Sequence, residues 1–398
     1  MHPPLLDAPA ATPRRASDQG AAVLVSLDFG DDGYEESAAE VVRLATSAGA
    51  RRTKVVGGKR ARPDPKLYAG SGKVEEIGRE ADELNAATVI FNHVLQPGQQ
   101  RNLEKELGRK VLDRTELILR IFAQRATTSE GKLQVELAQL QHLSTRLVRG
   151  WTHLERQRGG LGKTGGQGEK QIELDRRMIA TRMRMLKGKL EQLGQRREVQ
   201  RRARSRRDVF SVALVGYTNA GKSTLFNALT HANAHAKAYV ADKLFATLDT
   251  TTRKIWIEGA GQVVISDTVG FIRDLPHGLV AAFRATLEET VRADLLLHVV
   301  DSASPGRARE TGDVNKVLAE IKADQIPQLL VWNKINIAGN MHGLEPGVER
   351  DEYGRICRVF VSARTGAGLA GLRGAIAEAA GPQTQAGNLP KPSLEPSL

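Results

Sequence analysis

Gly216-Tyr217-Thr218-Asn219-Ala220-Gly221-Lys222-Ser223 is the stretch on which the reading of the fold turns. It matches GxxxxGK[ST], in which glycines let the backbone curl until its N–H groups face a polyphosphate. The apolar run Val212 to Val215 before it reads as a strand, and Ser223-Thr224-Leu225-Phe226 opens a helix signal. That strand–loop–helix order is the context the pattern requires. Gly216, Asn219, Ala220, Gly221 and Thr224 then surround the phosphates. Lys222 reaches the β- and γ-phosphates, and the Ser223 hydroxyl ligates Mg²⁺.

Three further pieces follow in order. Asp267-Thr268-Val269-Gly270 closes the predicted strand Val263 to Ser266. It supplies an Asp for the Mg²⁺ sphere and a Gly whose N–H can meet a γ-phosphate. Asn333-Lys334-Ile335-Asn336 closes the strand Leu329 to Trp332 and is close to NKxD. Ser362-Ala363-Arg364 closes the last strand of the region and completes the nucleotide contacts. All three lie at carboxyl ends of strands, where open α/β sheets bind ligands. With Leu295 to Val300 as another strand, and Leu279 to Val291 and Thr311 to Ile321 as helices, residues 208–381 read as a mostly parallel sheet with helices on both faces.

Outward from this domain, residues 1–20 read as a tail, and 382–398, rich in Pro, Gln and Ser, as another. A strand at 22–28, a helix from Glu36 to Ala48 and a strand from Thr88 to Phe91 place a small α/β domain over 21–115. Residues 116–207 read differently. Leu133, Leu137, Leu140, Leu143, Leu147, Trp151 and Leu154 recur at spacings of three and four, one face of a long helix. After the glycine-rich loop 159–168, Ile179, Met183, Leu186, Leu190 and Leu193 form a heptad seam. Two apolar stripes joined by a glycine loop predict an antiparallel helical hairpin.

The net charge of +12 is uneven. Residues 176–207 carry 13 basic residues against Glu191 and Glu198 alone, whereas 208–381 hold 18 basic and 19 acidic residues. One hairpin arm thus bears nearly the whole excess, and such a one-signed run favours a polyanionic partner, nucleic acid before membrane. Cys357 is the single cysteine, which excludes a disulfide scaffold and a cysteine-based metal cluster and fits a reducing, cytoplasmic setting. No apolar run approaches the length of a membrane span. Gly70-Ser71-Gly72-Lys73 imitates a phosphate loop, but Val74 replaces the hydroxyl residue, so a turn is expected. His231 and His235 stand at i, i+4 without an evident third metal ligand.

Together these motifs resemble the HflX family of ribosome-associated P-loop GTPases. The resemblance rests also on Leu67-Tyr68-Ala69-Gly70-Ser71-Gly72-Lys73, on Phe122-Ala123-Gln124-Arg125-Ala126 with Gly131 to Leu140, on Arg149-Gly150-Trp151-Thr152-His153-Leu154-Glu155-Arg156, and on Asp267 to His277. It covers about residues 22 to 380. It implies an α/β N-terminal domain, a helical hairpin and a Ras-like P-loop GTPase domain that uses GTP and Mg²⁺. It also implies a cytoplasmic monomer that binds the large (50S) ribosomal subunit through rRNA, needs no membrane, and dissociates or rescues stalled or idle 70S ribosomes. By position, Thr247 in Phe245-Ala246-Thr247-Leu248-Asp249 is the switch I threonine on Mg²⁺, with Thr250 to Thr252 as competitors for that role. Lys222, Thr247 and Gly270 are then the catalytic set.

Three departures stand out. Phe271 follows Gly270 where many GTPases carry a water-positioning Gln; this is normal for the family and predicts slow intrinsic hydrolysis raised by a partner. Asn336 replaces the usual Asp, and its amide turns a donor toward donors of guanine, which weakens guanine selectivity and favours xanthine. The loop Gly162 to Gln171 is a diverged version of the family's, and little chain follows the GTPase domain. Two alternatives remain at this stage: an RNA-binding module with nucleotide as a structural ligand, and an NTPase that accepts ATP.

Overall fold

The computed structural model describes residues 18–30, 32–149, 167–205, 209–230, 244–245, 247–273, 287–337 and 343–381. Two compact units divide the chain: Met1–Ile121 with Thr145–Gly165, and Phe122–Ser144 with Gly166–Leu398.

The first unit is built on β1 (Asp18–Asp28), α1 (Tyr34–Ser47), β2 (Arg52–Lys59), α2 (Ser71–Glu83), β3 (Ala86–Phe91), α3 (Pro97–Leu107) and β4 (Lys110–Leu112), after which α4 (Arg114–Arg125) begins. The four strands form a parallel sheet in the order β2-β1-β3-β4. Residues 21–25 of β1 are all buried, as a parallel strand covered on both faces requires. The strand begins four residues ahead of the predicted 22–28, because the polar start Asp18-Gln19-Gly20 carries no apolar signal. The sequence reading missed β2 for the same reason: it is an edge strand on which only Val56 is buried. The imitation phosphate loop is a helix start and not the expected free turn: Gly70, at φ +80°, caps α2, and Ser71 to Lys73 are its first residues. Lys73 is engaged there by Gly57 O at 2.8 Å and Glu76 at 2.7 Å. A buried ion pair joins Arg114 to Glu40, and Arg114 also donates to Asn92 Oδ1 at 2.7 Å.

The second unit includes most of α5 (Ser129–Arg149), and α6 (Gln167–Ser205). Leu137 is buried, Leu133 and Leu140 half-buried, and Leu143 is 40% exposed, so the predicted stripe weakens toward the far end. Leu147 is helical, while Trp151 and Leu154 lie outside the described residues. The seam of α6 is its less exposed face: Leu186 is buried, and Ile179, Met183, Leu190 and Leu193 are half-buried. Arg182 Nε donates to Glu136 Oε1 at 2.7 Å, tying α6 to α5. Of the predicted glycine loop, 159–166 lies outside the described residues, and Gln167 and Gly168 are already helical.

The sheet of this unit uses β5 (Phe210–Val215), α7 (Lys222–Leu229), β6 (Thr251–Ile257), β7 (Gly261–Asp267), α8 (Glu288–Val291), β8 (Leu295–Asp301), α9 (Arg307–Glu320), β9 (Gln328–Asn333), β10 (Gly347–Arg350), β11 (Ile356–Phe360) and α10 (Leu369–Ala380). Strand order is β10-β11-β9-β8-β5-β7-β6, with antiparallel pairing, among the described residues, only at β6–β7 and β10–β11. Leu225, Phe226 and Leu229 of α7 and Leu372 and Ile376 of α10 share one core with Val212, Leu214, Val263, Leu297 and Val331. From β5 the chain builds first toward β7 and then across to β8. The switch of direction opens a crevice at the carboxyl end of β5. The helix expected over Leu279 to Val291 falls mostly outside the described residues; Glu288–Val291 are helical. Among the described residues, no helix is long and apolar enough to cross a membrane.

Candidate nucleotide site

The loop after β5 lies in that crevice. Gly216 has φ +147°, and a Cβ there would come 2.3 Å from the carbonyl oxygen of Val299, so only glycine fits. Asn219 is left-handed at φ +62°, Ala220 is buried, and Gly221 precedes the first turn of α7, where Ser223 and Thr224 sit. Lys222 is buried, and its Nζ donates to Gly216 O at 3.0 Å and Tyr217 O at 2.8 Å. Burial lowers its pKa to about 8, against the opposing pull of Asp267.

Ser223, Thr247 and Asp267 converge. Ser223 Oγ donates to Asp267 Oδ2 at 2.7 Å, Thr247 Oγ1 donates to the same oxygen at 2.9 Å, and the two hydroxyl oxygens are 2.7 Å apart. Burial raises the Asp267 carboxyl pKa, against the bonds from Ser223 and Thr247 and the charge of Lys222. Its Oδ1 is buried without a hydrogen-bond partner. Three hard oxygen groups with an orphaned carboxylate oxygen among them suit Mg²⁺, which takes oxygen ligands and usually keeps several waters. Of the competing threonines, Thr251 and Thr252 belong to β6, and the Thr252 hydroxyl pairs with Ser266 Oγ at 3.1 Å.

The segment after β7 packs on the phosphate loop. Thr218 N–H donates to Phe271 O at 2.7 Å, and Phe271 N–H donates to Gly216 O at 3.1 Å. A Cβ on Gly270 would lie 3.0 Å from Thr218 Cα and 3.1 Å from Lys222 Nζ, so Gly270 packs closely on the phosphate loop. The Phe271 ring is fully buried.

The opposite end is built by the loops after β9 and β11. Asn333 Nδ2 donates to Ala220 O at 2.9 Å, and its Oδ1 accepts from Ala363 N–H at 2.9 Å, so this amide bridges the phosphate loop to Ser362-Ala363-Arg364. Lys334, at φ +66°, pairs with Asp301 at 2.7 Å. Ser362 Oγ accepts from Thr365 N–H at 3.2 Å and donates to Asn336 Oδ1 at 2.8 Å. Asn336 and Arg364 are exposed. Sequence reasoning missed Asp301, which closes β8 beside Lys334, and Asp249, which binds Thr127 and Thr128. The first could have been suspected from its place at a strand's carboxyl end, but nothing local signals the second. His231 and His235 both lie outside the described residues.

Comparison with known proteins gives matches along most of the chain. Residues 35–123 match the family described as GTP-binding GTPase N-terminal, 125–204 its Middle Region, and 211–334 the 50S ribosome-binding GTPase family. GTPase HflX of Escherichia coli is 52% identical over 357 residues, covering 90% of this chain and 82% of that protein. GTPase HflX of Magnetococcus marinus is 50% identical over 344 residues, covering 86% and 77%. Among solved structures, a GTP-binding protein from Sulfolobus solfataricus in complex with GDP is 26% identical, with a TM-score of 0.45, over 90% of this chain and 98% of that one.

Proposed function

The chain belongs to the HflX family of GTPases, and from that premise we propose that it binds the 50S subunit in its GTP form and dissociates stalled or idle 70S ribosomes. It is a GTPase with a ribosome-binding type of GTPase domain. The observation that carries the site reading is the convergence of Ser223, Thr247 and Asp267 on one point at the carboxyl end of the sheet.

In this reading Lys222 exchanges the carbonyls of Gly216 and Tyr217 for β- and γ-phosphate oxygens. The N–H groups of Asn219 to Thr224 cradle the phosphates at the start of α7. Ser223 and Thr247 would hold Mg²⁺, with Asp267 beside them; the ion would supply positive charge against the negative charge of the phosphates. Gly270 presents its N–H to the γ-phosphate. Phe271 has its ring in the core and its backbone tied to Gly216 and Thr218, so it offers nothing to orient water. Slow intrinsic hydrolysis follows, with a ribosomal partner completing the site.

The basic residues of α6 supply the contact with rRNA. Arg176, Arg177, Arg184, Lys187 and Lys189 are all exposed on this helix of 39 residues, about 58 Å long. The protein acts as a cytoplasmic monomer. Sedimentation of 70S ribosomes with the protein and a non-hydrolysable GTP analogue tests the reading: conversion to subunits is expected, and intact 70S at saturating protein would overturn it. A second reading, relaxed base selectivity, is favoured by the Asn336–Ser362 contact.

A further inference from the structure

Asp249 lies two residues after Thr247, and its carboxylate leaves the nucleotide site altogether. Oδ2 accepts from Thr127 N–H at 2.9 Å, Thr127 Oγ1 at 2.7 Å and Thr128 N–H at 2.9 Å, and Oδ1 accepts from Thr128 Oγ1 at 2.6 Å. Thr128 is the cap of α5: its hydroxyl accepts from Gly131 N–H at 2.9 Å, and its carbonyl from Lys132 N–H at 3.0 Å. The carboxylate therefore sits on the positive end of α5 and satisfies two backbone donors and two hydroxyls there. The fit is close, since a Cβ on Gly131 would stand 2.2 Å from Asp249 Oδ1. Two residues before Thr247, Phe245 adds a second attachment. It is left-handed at φ +54°, a conformation bulky residues rarely adopt, and its buried ring packs edge-on against Phe122 of α4 at 4.6 Å.

The Thr247 region is thus held on both sides by residues of the α4–α5 segment, while Thr247 itself faces Ser223 and Asp267. We propose that Asp249 is a positioning residue that couples the γ-phosphate state of the nucleotide to the first turn of α5. The proposal rests on Thr247 being the switch threonine. Engagement of Thr247 by the GTP form fixes the segment that carries Asp249. Asp249 in turn fixes the start of the helix that leads into the hairpin. Such coupling is reciprocal, so loosening the clasp must weaken the GTP form and leave GDP binding alone.

The test compares affinities for GDP and for a non-hydrolysable GTP analogue, with Mg²⁺, in the full-length protein and its variants. Asp249→Ala is expected to lower analogue affinity about tenfold, within the usual span of coupling between sites, and to change GDP affinity less than twofold. Gly131→Ala is expected to act in the same direction from the other partner, and Thr128→Ser to behave as the unmodified protein, whereas Thr128→Val does not. Hydrogen exchange at the Thr127 and Thr128 amides should be slower with the analogue than with GDP, and this difference should vanish in Asp249→Ala. Equal loss of both affinities, or an exchange difference that survives Asp249→Ala, overturns the proposal. Thr247→Ala separates the two layers. If it leaves analogue affinity intact, the switch assignment fails. If it lowers that affinity and Asp249→Ala does not, the clasp alone fails.

Discussion

Asn336→Asp probes the base end of the site through a single atom. In the structure the orientation of the Asn336 amide is decided by its neighbour. Ser362 Oγ accepts from Thr365 N–H and donates its own proton to Asn336 Oδ1. Nδ2 is a donor, and in the proposed base contact the N1–H and 2-amino group of guanine would be donors as well. An aspartate keeps the bond from Ser362 and replaces the opposed donor by an acceptor. Hydrogen bonds to a charged group contribute about 1.5–3 kcal/mol each, and the solvent exposure of residue 336 reduces the pair to about 2–4 kcal/mol. That corresponds to about a 30- to 700-fold gain in GTP affinity. XTP should move the other way, because its 2-carbonyl accepts from the Asn336 amide and is repelled by a carboxylate. ITP, which lacks the 2-amino group, should gain less than GTP. Titrations of GTP, XTP, ITP and ATP against the protein and Asn336→Asp measure all four. Equal GTP affinity in the two proteins refutes the argument, as does an unmodified protein that prefers GTP to XTP by several hundredfold.

Other predictions concern separate parts of the molecule. Ser223→Ala removes one of the three converging oxygens and should raise the Mg²⁺ concentration for half-maximal turnover by about tenfold or more, read from Mg²⁺ titrations of GTP hydrolysis. His298 is fully buried on β8 with Nδ1 unpartnered, and burial lowers its pKa to about 4. The unfolded chain then binds the extra proton first as pH falls from about 6.5 to 4. Stability should drop by about 3 kcal/mol across that window, and His298→Leu should remove this component in denaturant titrations at each pH. Lys187→Gln with Lys189→Gln should reduce the salt dependence of rRNA binding by about two in the log–log slope while sparing GTP affinity. In single-turnover assays, ribosomes should accelerate GTP hydrolysis, and an unchanged rate would remove the role assigned to a partner at Phe271.

The two ends of the nucleotide site differed in how far local sequence could describe them. The phosphate loop was legible because its chemistry is local: Gly216 must tolerate φ +147° against Val299 O, and Lys222 and Ser223 must follow a tight turn at fixed spacing. Its strand was legible because residues buried on both faces leave an unbroken apolar run. β2, β6 and β10 were not, since edge strands and partly exposed strands mix polar with apolar residues. The register of Thr247 among its neighbours was open in the sequence. In the structure β6 takes up Thr251 and Thr252, and Thr247 lies beside Ser223 and Asp267.

What the sequence determined by itself was the class of chemistry, a GTPase with a phosphate-binding loop, together with the expectations that hang on it: an acid at the end of a strand read for Mg²⁺, an NKxD-like motif with one altered residue read for the base, and a basic helical arm. Each is carried by residues close together in the chain. Tertiary structure alone decided the orientation of the Asn336 amide, set by Ser362 from 26 residues away, and the clasp of Asp249 on Thr127, set across 122 residues. A carboxylate and a helix start that far apart carry no mutual signal in the sequence. Only the folding of the second unit brings their donors and acceptors within bonding distance.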